Sequence, residues 1–163
     1  MSTGPSHKTV IASNRDNVAI RAAAPSDFDQ WLVLWEGYQR FYNVQIAKEV
    51  TDRTWARLLD PSEPMACAVA ASDSHLVGLV HYIFHRSTWT EGDYCYLQDL
   101  FVEKEMRRGG QGRRLIQHVY DAARQHGASR VYWLTHETNE DAMKLYDQVA
   151  ERSGFIQYRR SMR

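Results

Sequence analysis

Apolar side chains recur along this chain with two different periods, which separate predicted helices from predicted strands. Large apolar residues at intervals of three and four form one stripe on each predicted helix. Continuous apolar runs rich in β-branched and aromatic residues indicate strands. Helices are predicted over 28–42, 111–126 and 139–153, with a short one that begins at Thr51 and ends before Pro61. Strands are predicted over 18–22, 65–71, 76–85, 93–102, 131–135 and 155–159.

The order of these elements predicts an α/β (α+β) domain with a single mixed sheet flanked by helices. Ser72-Asp73-Ser74 is a turn between two strands, so a hairpin is expected there. The strand 93–102 is apolar on both faces, as in a central strand. If it is regular, its faces are Tyr96, Leu100 and Val102 on one side and Cys95, Leu97 and Phe101 on the other. Residues 1–17 are polar and aperiodic, so we expect a flexible tail before one domain over 18–163.

Charge and composition narrow the function classes. Lys+Arg 20 balances Asp+Glu 20, which argues against partners that attract by long-range charge, such as nucleic acid or an anionic membrane. No apolar run is long enough to span a bilayer, and the first 17 residues lack a secretory core. Cys67 and Cys95 lie in apolar strands, where buried thiols are expected. We therefore expect a cytoplasmic protein.

A metal site is not predicted. His81 and His85 are four residues apart, but in a strand that interval spans about 13 Å, too far for one shared ion. No other His or Cys spacing resembles a metal site.

The segment Arg107-Arg108-Gly109-Gly110-Gln111-Gly112-Arg113 joins a predicted strand to a predicted helix. Glycines let backbone N–H groups turn toward one point, and a helix N-terminus adds partial positive charge, so an anion site is expected. A P-loop is excluded because Arg113 follows Gly112, and a dinucleotide fingerprint because Leu115 stands at the third glycine position. The alternative is a glycine-rich turn that only caps the helix, but such a turn would not require the neighbouring arginines.

Two signatures resemble the GNAT superfamily of N-acetyltransferases. Arg107-x-x-Gly110-x-Gly112 is similar to the first, and Asn139-x-x-Ala142-x-x-Leu145-Tyr146 to the second. The stretch 97–102 is similar to the subgroup of spermidine/spermine and fungal histone/polyamine acetyltransferases. The resemblance implies the acyl-CoA N-acyltransferase fold, acetyl-CoA as co-substrate, and direct acetyl transfer to a primary amine of a polyamine, amino acid or lysine-like acceptor. It also implies a homodimer, for which residues 155–158 could supply an edge.

The resemblance implies roles for individual residues. Leu100 would donate its N–H to the thioester carbonyl, and Tyr146 would protonate the leaving thiolate. The acceptor pocket would lie beside the first two helices. The implied CoA residues are Phe101, Val102, Arg107, Arg108, Gly109, Gly110, Gln111, Gly112, Arg113, Asn139 and Tyr146. The implied acceptor residues are Trp35, Glu36, Tyr38, Tyr42 and Gln98.

The base stays open at this stage. Polyamine-acetylating relatives carry glutamate where this chain has Gln98, and an amide cannot accept the proton. Asp99 would point to the opposite face of a regular strand unless a bulge turns it, and Glu137 is a second carboxylate. Glu36, Glu91, Asp93 and Asp99 could together form an acidic mouth. Because of Gln98, the alternative function is a non-catalytic acyl-CoA-binding or regulatory module.

Overall fold

The computed structural model describes residues 17–162, so the predicted tail lies almost wholly outside the described residues. The strands are β1 Ala19–Ala22, β2 Met65–Ala71, β3 Leu76–His85, β4 Tyr94–Val102 and β5 Arg130–Tyr132. The helices are α1 Phe28–Phe41, α2 Lys48–Leu59, α3 Gln111–His126 and α4 Glu140–Val149, with one-turn 3₁₀ helices at Pro25–Asp27 and Lys104–Met106. Within residues 17–162, no helix is both long and apolar enough to cross a membrane.

The five strands form one sheet in the order β1-β2-β3-β4-β5. β1 to β4 are antiparallel neighbours, and β5 alone runs parallel to β4. The predicted single mixed, mostly antiparallel sheet is confirmed. The β4–β5 pairing stops at Tyr96 and Tyr132. Beyond that point the two strands separate, which leaves one edge of β4 open within the sheet.

Helices cover both faces of the sheet. α1 and α2 pack on what we call the α1 face, around the fully buried Trp31, Val69 and Leu79. α3 and α4 pack on the opposite α3 face, around Leu115 and Ile116. The predicted bounds of α3 agree with the structure because its apolar stripe is regular and Gly127, at φ +77°, ends it in the left-handed conformation that glycine accepts.

A β-bulge interrupts β4 at Gln98. His81 on β3 faces Asp99, whereas the next residue, Tyr82, faces Leu97, so Gln98 has no partner in the ladder and its side chain is exposed. One extra residue reverses the alternation of all side chains beyond it. The prediction of two regular faces is therefore wrong. Cys95 and Leu97 share the α3 face with Leu100 and Val102, and Phe101 packs on the α1 face.

α2 begins at Lys48, not at Thr51 as predicted. Thr51 is buried inside the first turn and its N–H already bonds to the carbonyl of Ala47. An ion pair of 2.6 Å between Lys48 and Asp52 joins successive turns. The first turn of α2 is thus stabilised by a backbone hydrogen bond and an ion pair, and it begins before Thr51, which the sequence predicted as the cap.

The C-terminal segment differs most from the prediction. α4 ends at Val149, and residues 150–162 contain no strand, so the strand expected over 155–159 does not form. Arg152 folds back to bond with Asp147 at 2.8 and 2.9 Å, and Gly154 follows at φ +79°. A strand needs a partner for its backbone groups, and among residues 17–162 no strand pairs with this segment.

Candidate active site

The loop between β4 and α3 turns its backbone through two left-handed residues. Arg108 has φ +65° and Gly110 has φ +81°, and α3 begins directly afterwards at Gln111. Alternation of right- and left-handed residues forms the concave set of N–H groups called a nest, and the helix N-terminus adds partial positive charge. Gly112 lets α3 approach α4, because a Cβ there would lie 3.2 Å from Leu145. Such an arrangement of backbone groups is of the kind that binds anions.

The arginines of this loop have different surroundings. The Nε–H of Arg107 donates to the Val102 carbonyl at 3.0 Å, and its guanidinium lies 5.8 Å from the ring centres of Phe41 and Phe101. Arg113 donates to Gln148 at 2.5 Å. Arg108 is exposed and makes no hydrogen bond or ion pair with the described residues. Arg108 is thus the full charge most available to a phosphate.

The side chain of Gln111 is buried, and its Oε1 accepts a hydrogen bond of 3.1 Å from Arg114. Gly109 lies in the loop itself, where a Cβ would sit 3.3 Å from the Met106 carbonyl and 3.6 Å from Gln111 Nε2. Any contact of Gly109 with CoA would therefore be made by main-chain atoms.

The open edge of β4 includes Leu100, Phe101 and Val102. All three are half-buried, and they follow the last residue of β4 that pairs with β5. A strand without a neighbour offers N–H and C=O groups to an extended ligand. The edge leads from the bulge to the nest, which is the path a pantetheine arm would take.

Tyr146 lies on α4 and packs against the core of the α3 face. Its ring contacts Trp133 edge-on at 5.4 Å between centres. Burial raises the pKa of Tyr146 to about 12, with a smaller effect from Tyr42, so the hydroxyl keeps its proton at neutral pH. Asn139 precedes α4, and its Nδ2 donates to Thr135 at 3.1 Å. A protonated phenol here is chemically able to donate to a thiolate.

The Gln98 bulge directs Asp99 to the α1 face. The carboxylate is 8 % exposed and lies beneath the α1 helix. Burial, and after it the charge of Asp99, raises the pKa of both Tyr38 and Tyr42. The same two causes raise the pKa of Tyr96. Asp99 is therefore a carboxylate surrounded by protonated phenols, one of which, Tyr42, also lies near Tyr146.

His81 holds Asp99, and Trp31 in turn holds His81. His81, which is 2 % exposed, places Nδ1 at 3.0 Å from Asp99 Oδ2. Its other nitrogen, Nε2, accepts a hydrogen bond of 2.9 Å from Trp31 Nε1. Sequence reasoning considered His81 only as a metal ligand and missed this role. The available signal was a histidine within the apolar run Leu79-Val80-His81-Tyr82, since a buried histidine requires polar partners.

The other predicted acceptor residues are dispersed. Trp35 is buried and stacks on Tyr38 at 5.3 Å. Glu36 pairs with Arg40 at 3.8 Å and lines a cleft of about 670 Å³ between α1 and α2. Gln98 is exposed. Glu137 is exposed in the turn before α4, and within the described part of the chain it forms no ion pair.

The predicted acidic mouth does not form. Asp93 precedes β4 and bonds to Arg86 at 3.1 Å and His126 at 3.2 Å. Six residues of extended chain, about 20 Å, separate it from Asp99. Glu36 faces the outer cleft, and Glu91 is exposed in the loop before β4. Of the four predicted carboxylates, Asp99 alone lies under the tyrosines.

Comparison with known proteins decides the family. A sequence model of the Acetyltransferase (GNAT) family matches residues 31–150. This chain belongs to the GNAT family. A GNAT relative, the D-amino-acid N-acetyltransferase HPA3 of Saccharomyces cerevisiae, is 34 % identical over 148 residues, which cover 90 % of this chain and 92 % of that protein. The thialysine N-epsilon-acetyltransferase of Caenorhabditis elegans is 33 % identical over 72 residues, 44 % of either chain.

Solved GNAT structures share the fold. AAC(6')-Iy in complex with a bisubstrate analog, CoA-S-monomethyl-acetylneamine, superposes with a TM-score of 0.79 at 15 % identity, covering 90 % of this chain and 99 % of that one. A probable acetyltransferase superposes with a TM-score of 0.77 at 24 % identity, over 89 % and 98 % of the two chains. The chain is thus an acetyl-CoA-dependent N-acetyltransferase that transfers the acetyl group to an amine, and these comparisons do not favour a non-catalytic module.

Replacing Gly110 with alanine tests the nest. A Cβ at Gly110 meets nothing within 4 Å, so the substitution adds only the cost of a left-handed alanine, about 1–2 kcal/mol. We expect Gly110→Ala to raise the Kd for acetyl-CoA by about tenfold, measured by calorimetry. The matched control is Gly127→Ala, which has φ +77° and equally open space at the far end of α3. Equal loss of affinity in both variants would contradict a binding role for the loop.

Proposed function

We propose that this enzyme acetylates a small amine whose reacting ammonium group is its single positive charge, an amino acid being the best example. The supporting observation is the single carboxylate of Asp99 beneath Tyr38, Tyr42 and Tyr96. Aromatic rings and one negative charge suit an ammonium group. A polyamine carries several positive charges along its length. Asp99 could pair with only one of them, because the predicted acidic mouth does not form.

The relatives support the same acceptor class. HPA3, which aligns over nearly its whole length, is named a D-amino-acid N-acetyltransferase. The thialysine enzymes match over about half of this chain. We therefore place amino acids ahead of lysine-like side chains and polyamines.

Asp99 serves as the base in this proposal. An ammonium group with a pKa of about 10.4 must lose a proton before its nitrogen can attack a thioester. The proton passes to the Asp99 carboxylate, directly or through one water, as the nitrogen bonds to the acetyl carbon. Gln98 cannot take this part, because its amide does not accept the proton and its side chain is exposed. Glu137, exposed on the other side of the open edge, is the second candidate.

Leu100 and Tyr146 act on the thioester of acetyl-CoA in this proposal. Acetyl-CoA supplies the acyl group and the thiolate that leaves when the C–S bond breaks. In this proposal the Leu100 N–H stabilises negative charge on the thioester oxygen. Tyr146 donates its proton to the sulfur, which gives neutral CoA thiol. Phe101, Val102 and Asn139 position the pantetheine arm, and the nest with Arg107, Arg108 and Arg113 holds the phosphates.

A panel of amines tests the acceptor class. The wild-type enzyme is mixed with acetyl-CoA and D- or L-amino acids, thialysine, lysine or spermidine, and free thiol is measured with mass spectrometry of the products. We expect an amino acid to have the highest kcat/KM, at least about tenfold above spermidine. A preference for spermidine would contradict the acceptor assignment. Tight acetyl-CoA binding without thiol release on any amine would contradict catalysis itself.

Tyr146→Phe tests the acid. Loss of the proton donor should lower kcat by about 10²–10⁴ and leave the Kd for acetyl-CoA near that of the wild type. The matched control is Tyr120→Phe, which removes a hydroxyl that donates to the Val149 carbonyl at the end of the same helix. That variant should lose stability and keep its kcat. An unchanged kcat in Tyr146→Phe would remove the acid role.

We propose, in addition, that two copies pair through their C-terminal segments. Phe155, Ile156 and Tyr158 are 75–89 % exposed, and β5 has a free outer edge. Exposed apolar side chains close together in the sequence favour association, and so does an unpaired strand edge. Light scattering should give a dimer for the wild type and a monomer for the double variant Ile156→Lys with Tyr158→Lys. Val33→Lys, on another exposed apolar site, in α1, should remain dimeric, and a monomeric wild type would contradict the proposal.

A further inference from the structure

A buried chain of side chains connects Asp99 to the interior of the α1 face. Trp31, which is 0 % exposed, donates its Nε1–H to His81 Nε2 at 2.9 Å, and His81 Nδ1 lies 3.0 Å from Asp99 Oδ2. Both imidazole nitrogens therefore have one partner each. This chain is separate from the acid, the oxyanion donor and the nest.

The chemistry of the Trp31 donor determines which ring nitrogen of His81 carries a proton. An indole nitrogen can only donate, so His81 Nε2 must carry a lone pair. A histidine without a proton on Nε2 is neutral and carries its proton on Nδ1. That proton faces the carboxylate of Asp99, which accepts it as a hydrogen bond.

Neutrality of this histidine matters for a base. An imidazolium beside Asp99 would hold the carboxylate as a compensated ion pair and reduce its tendency to take a proton. A neutral N–H fixes the orientation of the carboxylate and leaves its charge in place. Trp31 thus selects the form of histidine that orients Asp99 without neutralising it.

We propose that His81 is a positioning residue for the Asp99 base, and that Trp31 holds it in the neutral Nδ1–H form. This inference rests on the proposed function of Asp99. It concerns a residue that touches neither the amine nor acetyl-CoA. Trp31 and His81 also pack against each other, with 5.9 Å between their ring centres.

The other groups near Asp99 leave this assignment intact. From α1 and the residue after it, Tyr38 and Tyr42 present phenols whose pKa values are raised by burial and then by Asp99. On β4, Tyr96 has its pKa raised by the same causes. On β2, burial raises the pKa of the Cys67 thiol, with smaller effects from Asp27 and Asp99. All four are uncharged near neutral pH, so they bring no cation to Asp99.

The direct test is the state of the His81 ring in the wild-type protein. A long-range ¹H–¹⁵N correlation spectrum distinguishes protonated from unprotonated ring nitrogens, and the His81→Asn variant identifies the signals by their loss. We expect one neutral ring that carries its proton on Nδ1 and a lone pair on Nε2. An Nε2–H ring or an imidazolium would overturn the proposal. This readout needs no turnover, so it stands even if the amine panel fails.

Kinetics test the positioning role. His81→Leu removes the N–H donor and should lower kcat/KM by about 10- to 100-fold, with the acid limb of its pH profile moved to higher pH and the Kd for acetyl-CoA unchanged. His81→Asn, whose amide nitrogen can occupy the place of Nδ1, should recover most of the activity and the wild-type profile. A merely structural role would give no such rescue of the profile.

Trp31→Phe isolates the tautomer. The ring packing is retained and the Nε1–H donor is lost, so His81 Nε2 is free to bind a proton. A proton on Nε2 would make His81 an imidazolium, which would compensate the charge of Asp99 and weaken it as a base. We therefore expect the acid limb of the pH profile to move to higher pH, while activity at alkaline pH stays close to that of the wild type. The control is His118→Gln, a half-buried histidine on the α3 face whose ring lies 6.4 Å from Tyr82. Profiles of His81→Leu and Trp31→Phe that match this control would overturn the proposal.

Discussion

Gln98 stands without a partner in the β3–β4 ladder, and the positions of the residues on either side depend on it. Before it, Cys95 and Leu97 fill the α3 face; after it, Asp99 and Phe101 turn to the α1 face. In a regular strand Leu97 and Asp99 would share a face, so the carboxylate would enter an apolar core, where an unpaired charge is unfavourable. The bulge instead places the carboxylate beside His81 and the tyrosines of the α1 face.

The same irregularity lies where the sheet opens. β4 and β5 pair only over three residues, and the splayed part of β4 begins immediately before the bulge. The backbone there leads to a nest formed by Arg108 and Gly110. The proposed acceptor site beneath the tyrosines of the α1 face and the proposed acyl-donor path along the strand edge therefore converge on residues 98–102. This convergence explains why one strand carries the proposed base, the proposed oxyanion donor and the proposed pantetheine contacts.

Sequence periodicity predicted the parts of the fold that depend on local repetition. α3 and the β2–β3 hairpin follow from regular apolar spacing and turn residues, and the nest follows from glycines between a strand and a helix. The faces of β4 could not be predicted, because a bulge depends on the partner strand, not on the strand itself. The charge state of His81 depends on Trp31, fifty residues away in sequence. The C-terminal segment carries a strand pattern, yet among residues 17–162 it pairs with no strand of the sheet.

The central claim is that the bulge places Asp99 against the acceptor amine. A crystal structure of the enzyme with CoA and a bound amino acid measures this directly. The account predicts the amine nitrogen within about 3 Å of an Asp99 oxygen, or one water away, on the α1 face beside Tyr38 and Tyr42. An amine held by Glu137, or an Asp99 side chain directed into the α3 core, would contradict it.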